Sequence, residues 1–563
     1  MSGIICTTQL APGATIGHTL APSVWGDFFV TYNPPNPHRS SEWMRERADQ
    51  LKTQVRHKLQ QLATSSGVAD TVALVDVLEH LGVDNHFRDE IATALLHVVH
   101  RDEHDCAVAA SGGNNSDLHV TSLRFRLLRQ HGFRVSVDVF DKFRDNKDSF
   151  KESLTSDTRG LLSLYNAAHL AMPREEALDD AIAFSRRHLQ SMESKLMSPM
   201  AEQVARALDI PLPRAPRRLE TTYYIAEYLK DSAAFDNTVL ELARLDYELL
   251  RFLHLKELKD LSIWWRDIYD SVKLSYARDR IVECYFWPCV MFHEEEYSRA
   301  RIILAKVIAL TSIMDDTYDV HATIEECHKL NEAIQRWDKT AVSILPEYLH
   351  EFYTKLLSSF DEIEDSLEPH EKYRVSYAKS AFKQLSEYYH QEAQWSNNKY
   401  MPSFTEHVEL TVMSSTYPML AIAALVGVHD GAAATIEAFE WLASTPDLVR
   451  ASAEVGRFFN DIAAHKVKRN GNDIPSTVEC YMAEHGVGSE VALAAVATLA
   501  EHAWRAINQA SIEVGPTRLL VTRLVVNLTQ VLEMMYLRGQ DRYTFAADIK
   551  GVVAKLFLDP VPV

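Results

Sequence analysis

Apolar residues recur through most of this chain at the three-to-four-residue spacing of an α-helix. There is no sustained alternation of period two and no glycine-rich phosphate loop after a strand. The pattern predicts amphipathic helices over residues 42–62 and 68–100, parted by Thr64-Ser65-Ser66-Gly67, and a loop over residues 111–117. Residues 1–40 carry Pro12, Pro22, Pro34, Pro35 and Pro37 and read as an extended arm. Pro211, Pro213 and Pro216 mark a junction between two helical regions, and the second is broken at Pro288, Pro346, Pro369, Pro402, Pro418 and Pro475. The expected fold is all-α, many antiparallel helices in two domains.

The run 301–314 is strongly apolar, and Leu304, Val307, Ile308 and Thr311 share one helical face. It leads into Asp315-Asp316-Thr317-Tyr318-Asp319. Continuing the helix crowds three carboxylates on one side, since Asp316 and Asp319 are three apart and Asp315 and Asp319 four apart. No Lys or Arg lies within one turn along the chain. Such carboxylates repel one another and oppose the dipole of a helix that ends there. A hard divalent cation is the obvious complement, since Mg2+ is held by one or two carboxylates plus substrate phosphates. The other reading is a solvated acidic helix end in an acidic protein.

Composition narrows the class. At 563 residues the chain exceeds one ordinary core, and 47% hydrophobic residues with only 19 Gly and 20 Pro suit a helix-rich globular enzyme. Lys plus Arg number 58 against 78 Asp plus Glu, a net charge of −20 that disfavours nonspecific nucleic-acid binding. A local cationic pocket for an anionic substrate remains compatible with that field. Cys6, Cys106, Cys284, Cys289, Cys327 and Cys480 form no CxxC pair and read as buried thiols in a reducing compartment. No apolar stretch approaches membrane-spanning length, and residues 1–38 contain no Lys or Arg, so the expectation is a cytosolic protein.

Two further clusters carry charge that an anionic ligand would use. Arg457 stands three residues before Asn460 and four before Asp461, either a structural helix pair or a guanidinium free to grip phosphate. Arg278-Asp279-Arg280 would diverge on a helix but could face one anion from a loop or a helix start; an ordinary surface charge run is the alternative.

Together these residues resemble the class I terpene synthases of plants, and the similarity runs nearly end to end. Asp315–Asp319 matches the family's DDxxD motif, Arg278-Asp279-Arg280 its RxR motif, and Asn460-Asp461 opens its second metal motif. Weaker matches in the same order include Trp25 with its neighbours, 160–165, Arg218-Leu219-Glu220, Trp264-Trp265, 478–482 and 541–544.

The resemblance implies an arm at 1–40, an N-terminal α-barrel-like domain at 41–218 and a catalytic helical bundle at 219–563. It implies release of diphosphate from farnesyl diphosphate and cyclisation of the carbocation to a sesquiterpene hydrocarbon or alcohol. The cofactor would be Mg2+ or Mn2+, up to three ions, held by Asp315, Asp316, Asp319, Asn460 and Asp461. Arg278, Arg280 and Arg457 would take the departing anion, and Trp287, with Tyr536 and Tyr543, would face the cation. Ser414 to Tyr417 resemble the helix break that lines the family's pocket, and Asp541 and Tyr543 a lid loop, with the proline-rich arm as a further cap. Neither a DxDD motif nor a second DDxxD is present, which argues against protonation-initiated cyclisation and chain elongation. The enzyme is expected to be a monomer without nucleic-acid or membrane partners.

One departure stands out. The family's second motif places ligands at i, i+4 and i+8, which here are Asn460, Ala464 and Lys468. Asp461 or Asp473 substituting, Lys468 contacting diphosphate itself, and weak metal binding are all compatible with that change. The alternatives are therefore a catalytically impaired homologue serving as a binding or scaffold protein, or an enzyme using geranyl diphosphate.

Overall fold

The computed structural model describes residues 22–34, 39–65, 67–108, 117–146, 149–230, 236–465, 474–515 and 518–560. Among them the regular structure is helical throughout, and the one β-type pairing is an isolated bridge between Arg144 and Phe150. The all-α expectation holds. The loop expected at 111–117 lies, except for Asp117, outside the described residues. Asp117 itself accepts from the His119 N–H at 3.0 Å and caps the helix Leu118–Gln130.

The single helix expected over 68–100 is instead two, Val68–His80 and Arg88–Val108. Gly82, at φ +69°, turns the chain between them, and a side chain there would meet the Thr221 hydroxyl at 2.8 Å. Leu81, Val83 and Phe87 in the turn are buried, so the apolar spacing runs on unbroken across it. The arm is also not wholly extended. Phe28–Thr31 forms a helical turn, and Trp25 and Phe29 sink into the core of the C-terminal bundle.

Among the described residues the apolar core falls into three large clusters and a small one of Phe458, Val478, Ala492, Val496 and Ala500. One gathers Ala48 to Leu128 with Ile225, Tyr228 and the first turns of the helix Asn237–Val272. A second spans Leu118 to Ala207. The largest surrounds the helix Ser298–Asp316. The 36-residue helix Asn237–Val272, about 54 Å long, contributes Val239 to Tyr247 to the first core and Leu255 to Val272 to the largest. It thus splints the two halves together.

Ser298–Asp316 is buried on nearly every face, not on the single face its period suggested. Its start is fixed by Arg301, whose Nη2 and Nε donate to Glu257 at 2.8 and 2.9 Å, and whose Nη1 donates to the Phe292 and Glu294 carbonyls at 2.9 and 2.7 Å. Two segments do reach membrane-spanning length by composition, against expectation: Phe404–Val426 and Leu519–Gly539. Both are interior elements of the bundle, 72% and 56% buried. Cys284, Cys289, Cys327 and Cys480 are buried free thiols; Cys6 lies outside the described residues.

Two outcomes follow from this packing. Gly427 lies where Tyr417–Val426 meets the central helix, and a Cβ there would sit 2.5 Å from Ala300 Cα. Gly427→Ala must part the helices, at a cost of about 1–3 kcal/mol, and should lower the midpoint in a thermal melt. Glu283, 1% exposed, has no hydrogen-bond partner, the Trp25 indole N–H approaching without closing a bond. Burial pushes its carboxyl up to about 7. The folded state then holds a proton that the unfolded chain has lost above pH 4.5, so stability falls as pH rises from there to about 7. Glu283→Gln should match the native protein below pH 4.5 in midpoint-versus-pH curves, gain on it up to about pH 7, and keep a constant lead above.

Candidate active site

The central helix ends at Asp316, and Thr317–His321 continues as a single π-turn, closed by the Ala322 N–H on the Thr317 carbonyl at 2.9 Å. Such turns re-aim side chains at functional sites. The Thr317 hydroxyl donates to the Ile313 carbonyl at 2.7 Å and meets the Tyr276 hydroxyl at 3.1 Å, pinning the turn.

The cation missing along the chain is supplied through space by Arg278. Its Nη2 reaches Asp315 at 2.6 Å and its Nε lies 2.8 Å from Asp316, while its backbone N–H donates to Asp316 at 2.7 Å. Arg278 and Asp279 precede the helix Ile281–Met291, and Arg280 is its N-cap residue. The surface-charge alternative is thereby overturned, for Arg280 is 1% exposed. The two guanidinium groups do not share one target. Arg280 donates to the backbone carbonyls of Asp279, Tyr543 and Thr544 at 2.9, 3.1 and 3.0 Å, while Arg278 Nη1 donates to the Thr544 hydroxyl at 3.2 Å. Asp279 accepts from Trp265 Nε1 and Arg266 Nη2, both at 2.8 Å, and Arg266 also pairs with Asp27 of the arm at 2.8 Å.

The 541–545 segment closes over these residues. Asp541 Oδ1 accepts from the N–H groups of Tyr543 and Thr544, both at 3.0 Å, so its carboxylate shapes the loop. Tyr543 stands edge-on to Trp287 with ring centroids 5.9 Å apart, carries the Arg278 guanidinium 5.1 Å from its own centroid, and places its hydroxyl 3.4 Å from Cys284 Sγ.

A second set of polar groups comes from the helix Asp447–His465 and from the break between Phe404–Ser414 and Tyr417–Val426. Thr416 sits in the break at φ +78° with its hydroxyl 3.1 Å from that of Tyr389. Arg457 donates to the Thr411 carbonyl at 3.0 Å and the Ser414 hydroxyl at 3.2 Å, and lies 3.5 Å from Asp461. Ser414 in turn donates to Glu392 at 2.6 Å. Asn460 Nδ2 donates to the Tyr536 hydroxyl at 3.1 Å.

Asp461, expected among metal ligands, is buried and accepts from the Thr477 N–H and hydroxyl, both at 2.6 Å, so it ties its helix to Thr477–His485. Ala464 is in the helix with no oxygen to offer; Lys468 and Asp473 lie outside the described residues.

Charge in this buried cluster is costly. Burial, then Asp315 and Glu392, hold the Asp319 carboxyl well above the usual range. Burial raises Asp316 as well, with Arg278 opposing it. Burial pushes Glu392 up to about 7, against the pull of Arg457. Glu392 was not singled out in the sequence. It shares a helix face with Phe382, Leu385 and Tyr389, and a carboxylate on an apolar face is the signal that would have found it.

The donors present, carboxylates and one amide oxygen, suit a hard divalent ion. Among the described residues no three His, Cys, Asp or Glu groups converge to enclose an ion unaided. Further ligands would have to come from diphosphate oxygens and water, the arrangement Mg2+ ordinarily takes.

The chain is similar to known proteins over nearly its whole length. Residues 24–208 match the family model described as terpene synthase, N-terminal domain, and residues 266–506 that of the terpene synthase family, metal binding domain. A eudesmanediol synthase of Zea mays is 53% identical over 561 residues, covering 99% of this chain and 98% of the relative. A tau-cadinol synthase of Zea mays is 46% identical over 547 residues, 96% and 97% of the two chains. Isoprene synthase from grey poplar leaves, solved with three Mg2+ ions and dimethylallyl-S-thiolodiphosphate, superposes with a TM-score of 0.84 at 30% identity, over 92% of this chain and 97% of the other. The chain belongs to the terpene synthase family.

Proposed function

We propose that the protein ionises farnesyl diphosphate and cyclises the resulting carbocation to a sesquiterpene. One observation carries the reading: Arg278 bridges the acidic motif and the 541–545 loop, so one group touches both the metal seat and the cover. The relatives are sesquiterpene synthases, which supports a C15 substrate over geranyl diphosphate.

Asp315 and Asp319, with Asp316 behind them, would hold magnesium on one side, and Asn460 on the other; up to three ions accord with the poplar enzyme's complex. Bound magnesium supplies positive charge at the diphosphate oxygens, which turns a poor leaving group into a good one. Arg278 would turn from Asp315 to the departing anion, joined by Arg457. Arg280 and Asp541 keep the 543–544 backbone closed, and water stays out of the cavity. Trp287 and Tyr543 offer aromatic faces to the cation without offering a nucleophile. Asp461 acts here as a support for its helix. Four buried cysteines without a disulfide accord with a cytosolic enzyme, here read as a monomer.

Purified protein with farnesyl diphosphate and Mg2+ should release terpenes seen by gas chromatography, and Asp315→Ala with Asp319→Ala should cut the yield by on the order of 10²-fold or more. Equal yield from that double variant would overturn the reading. A second outcome separates charge from shape. Because the fold holds the Asp319 carboxyl well above its unfolded range, the fold loses stability as pH rises past the point where the unfolded chain ionises, so Asp319→Asn should melt higher than the native protein at neutral pH without metal. It should also lose much of the Mg2+-induced rise in midpoint; an undiminished rise would remove Asp319 from the metal seat.

A further inference from the structure

The two apolar clusters of the N-terminal half remain separate, and between them lies a cavity of about 360 Å3. Its walls take Leu123 from one cluster and Ala207 from the other. Helices Val68–His80, Leu118–Gln130, Thr158–Ala168, Met200–Asp209 and Arg217–Tyr228 all reach it. A volume of this order is that of a small-molecule site. None of the residues assigned above to metal, diphosphate or carbocation lines it.

Its charge runs against that of the chain, whose net charge is −20. Arg126, Arg159, Arg206 and Lys230 line it, against the carboxylates Asp76 and Glu220. Both carboxylates are already engaged. Asp76 accepts from Arg126 and lies 3.1 Å from His80 Nδ1. Glu220 accepts from Arg206 Nε at 3.3 Å, and the other two Arg206 nitrogens donate to Glu227. Arg159 and Lys230 are left over. Among the described residues no carboxylate pairs with the exposed Arg159, and Lys230 Nζ donates to the Ser198 hydroxyl at 2.9 Å. A cavity whose polar groups merely satisfied one another would leave no cation over.

Arg159 has neighbours suited to an anion. Arg159, Ser163 and Asn166, at i, i+4 and i+7, bring one helix face to the cavity. Ser163 Oγ lies 2.7 Å from His119 Nδ1. Burial, then Arg159, holds that imidazole below its ordinary value, so the ring is neutral at pH 7. When it donates from Nδ1, the Ser163 hydroxyl hydrogen is free for another acceptor. Asn166, 7% exposed, accepts from the Leu212 N–H at 3.1 Å, and its own Nδ2 donates to nothing among the described residues. Leu162, Ile210 and Leu212 supply apolar wall, and the Tyr224 ring, packed on His80 with centroids 4.6 Å apart, adds an aromatic surface.

We propose that this cavity is a second binding site, for an organic carboxylate with an apolar body. Arg159 takes the carboxylate in the bidentate manner of its planar fork, Ser163 donates to the same head, and the body lies on the apolar wall. A dianionic phosphate is disfavoured, because Asp76 and Glu220 stand in the same lining. The site is independent of the function proposed above.

The test is calorimetric titration of the full-length protein with 3-phenylpropanoate, 3-phenylpropanamide and phenyl phosphate, with and without Mg2+ and inorganic diphosphate. The carboxylate should bind in both conditions, and the uncharged amide about tenfold or more weaker, the weight of a charge-assisted hydrogen bond. Arg159→Gln, at an exposed position, should keep the native melting midpoint and weaken carboxylate binding by a similar factor. No binding of the carboxylate, equal binding of acid and amide, tighter binding of phenyl phosphate, or unchanged affinity in Arg159→Gln would overturn the assignment. So would binding that Mg2+ and diphosphate abolish, since the anion would then sit among Arg278 and Arg457 instead.

Discussion

Three carboxylates at the end of an almost wholly buried helix set the terms for everything around them. In an interior of low dielectric, like charges cannot be left without a counter-charge. Arg278 provides that charge to Asp315 and Asp316 in the free protein, and Asp319 is left with a strongly raised carboxyl. The arrangement is held together, yet it stays short of cation. On the function proposed above, a ligand that brings positive ions and draws Arg278 away would satisfy both groups at once.

The same segment connects the seat to its cover. From the arm, Asp27 pairs with Arg266, Arg266 with Asp279, and the next residue, Arg280, holds the carbonyls of Tyr543 and Thr544. Two ends of the chain more than 500 residues apart therefore meet on one tripeptide. Arg278 is thus two residues along the backbone from Arg280 and one from Asp279, the residues that hold the loop and, through Arg266, the arm. Arg278 reads charge, and Arg280 reads backbone; a lysine in place of either would lose the planar fork that makes both possible.

The helical class, the acidic cluster and both arginine motifs were legible in the sequence because each is a local pattern with a fixed period or spacing. Where the reading failed, the deciding contact was distant along the chain. Helical period ran straight through Gly82 because the turn residues there are themselves buried. Arg278 neutralises carboxylates 37 and 38 residues away, which no window of one turn detects. Asp461, beside Asn460, accepts from Thr477, 16 residues on, a contact the local pattern does not reveal. Glu392 escaped notice because its partners, Ser414 and Arg457, belong to two other helices.

Gly456 shows how tightly the helix Asp447–His465 packs against Tyr417. A Cβ there would overlap the Tyr417 ring, 2.1 Å from Cε2 and 2.6 Å from Cδ2. The ring fills the space a side chain would need, on the element that follows the left-handed Thr416. Volume at 456 and volume at 417 are therefore traded one for the other. A side chain larger than glycine at 456 is therefore accommodated only where residue 417 has first been made smaller, and the reverse order passes through an overpacked fold.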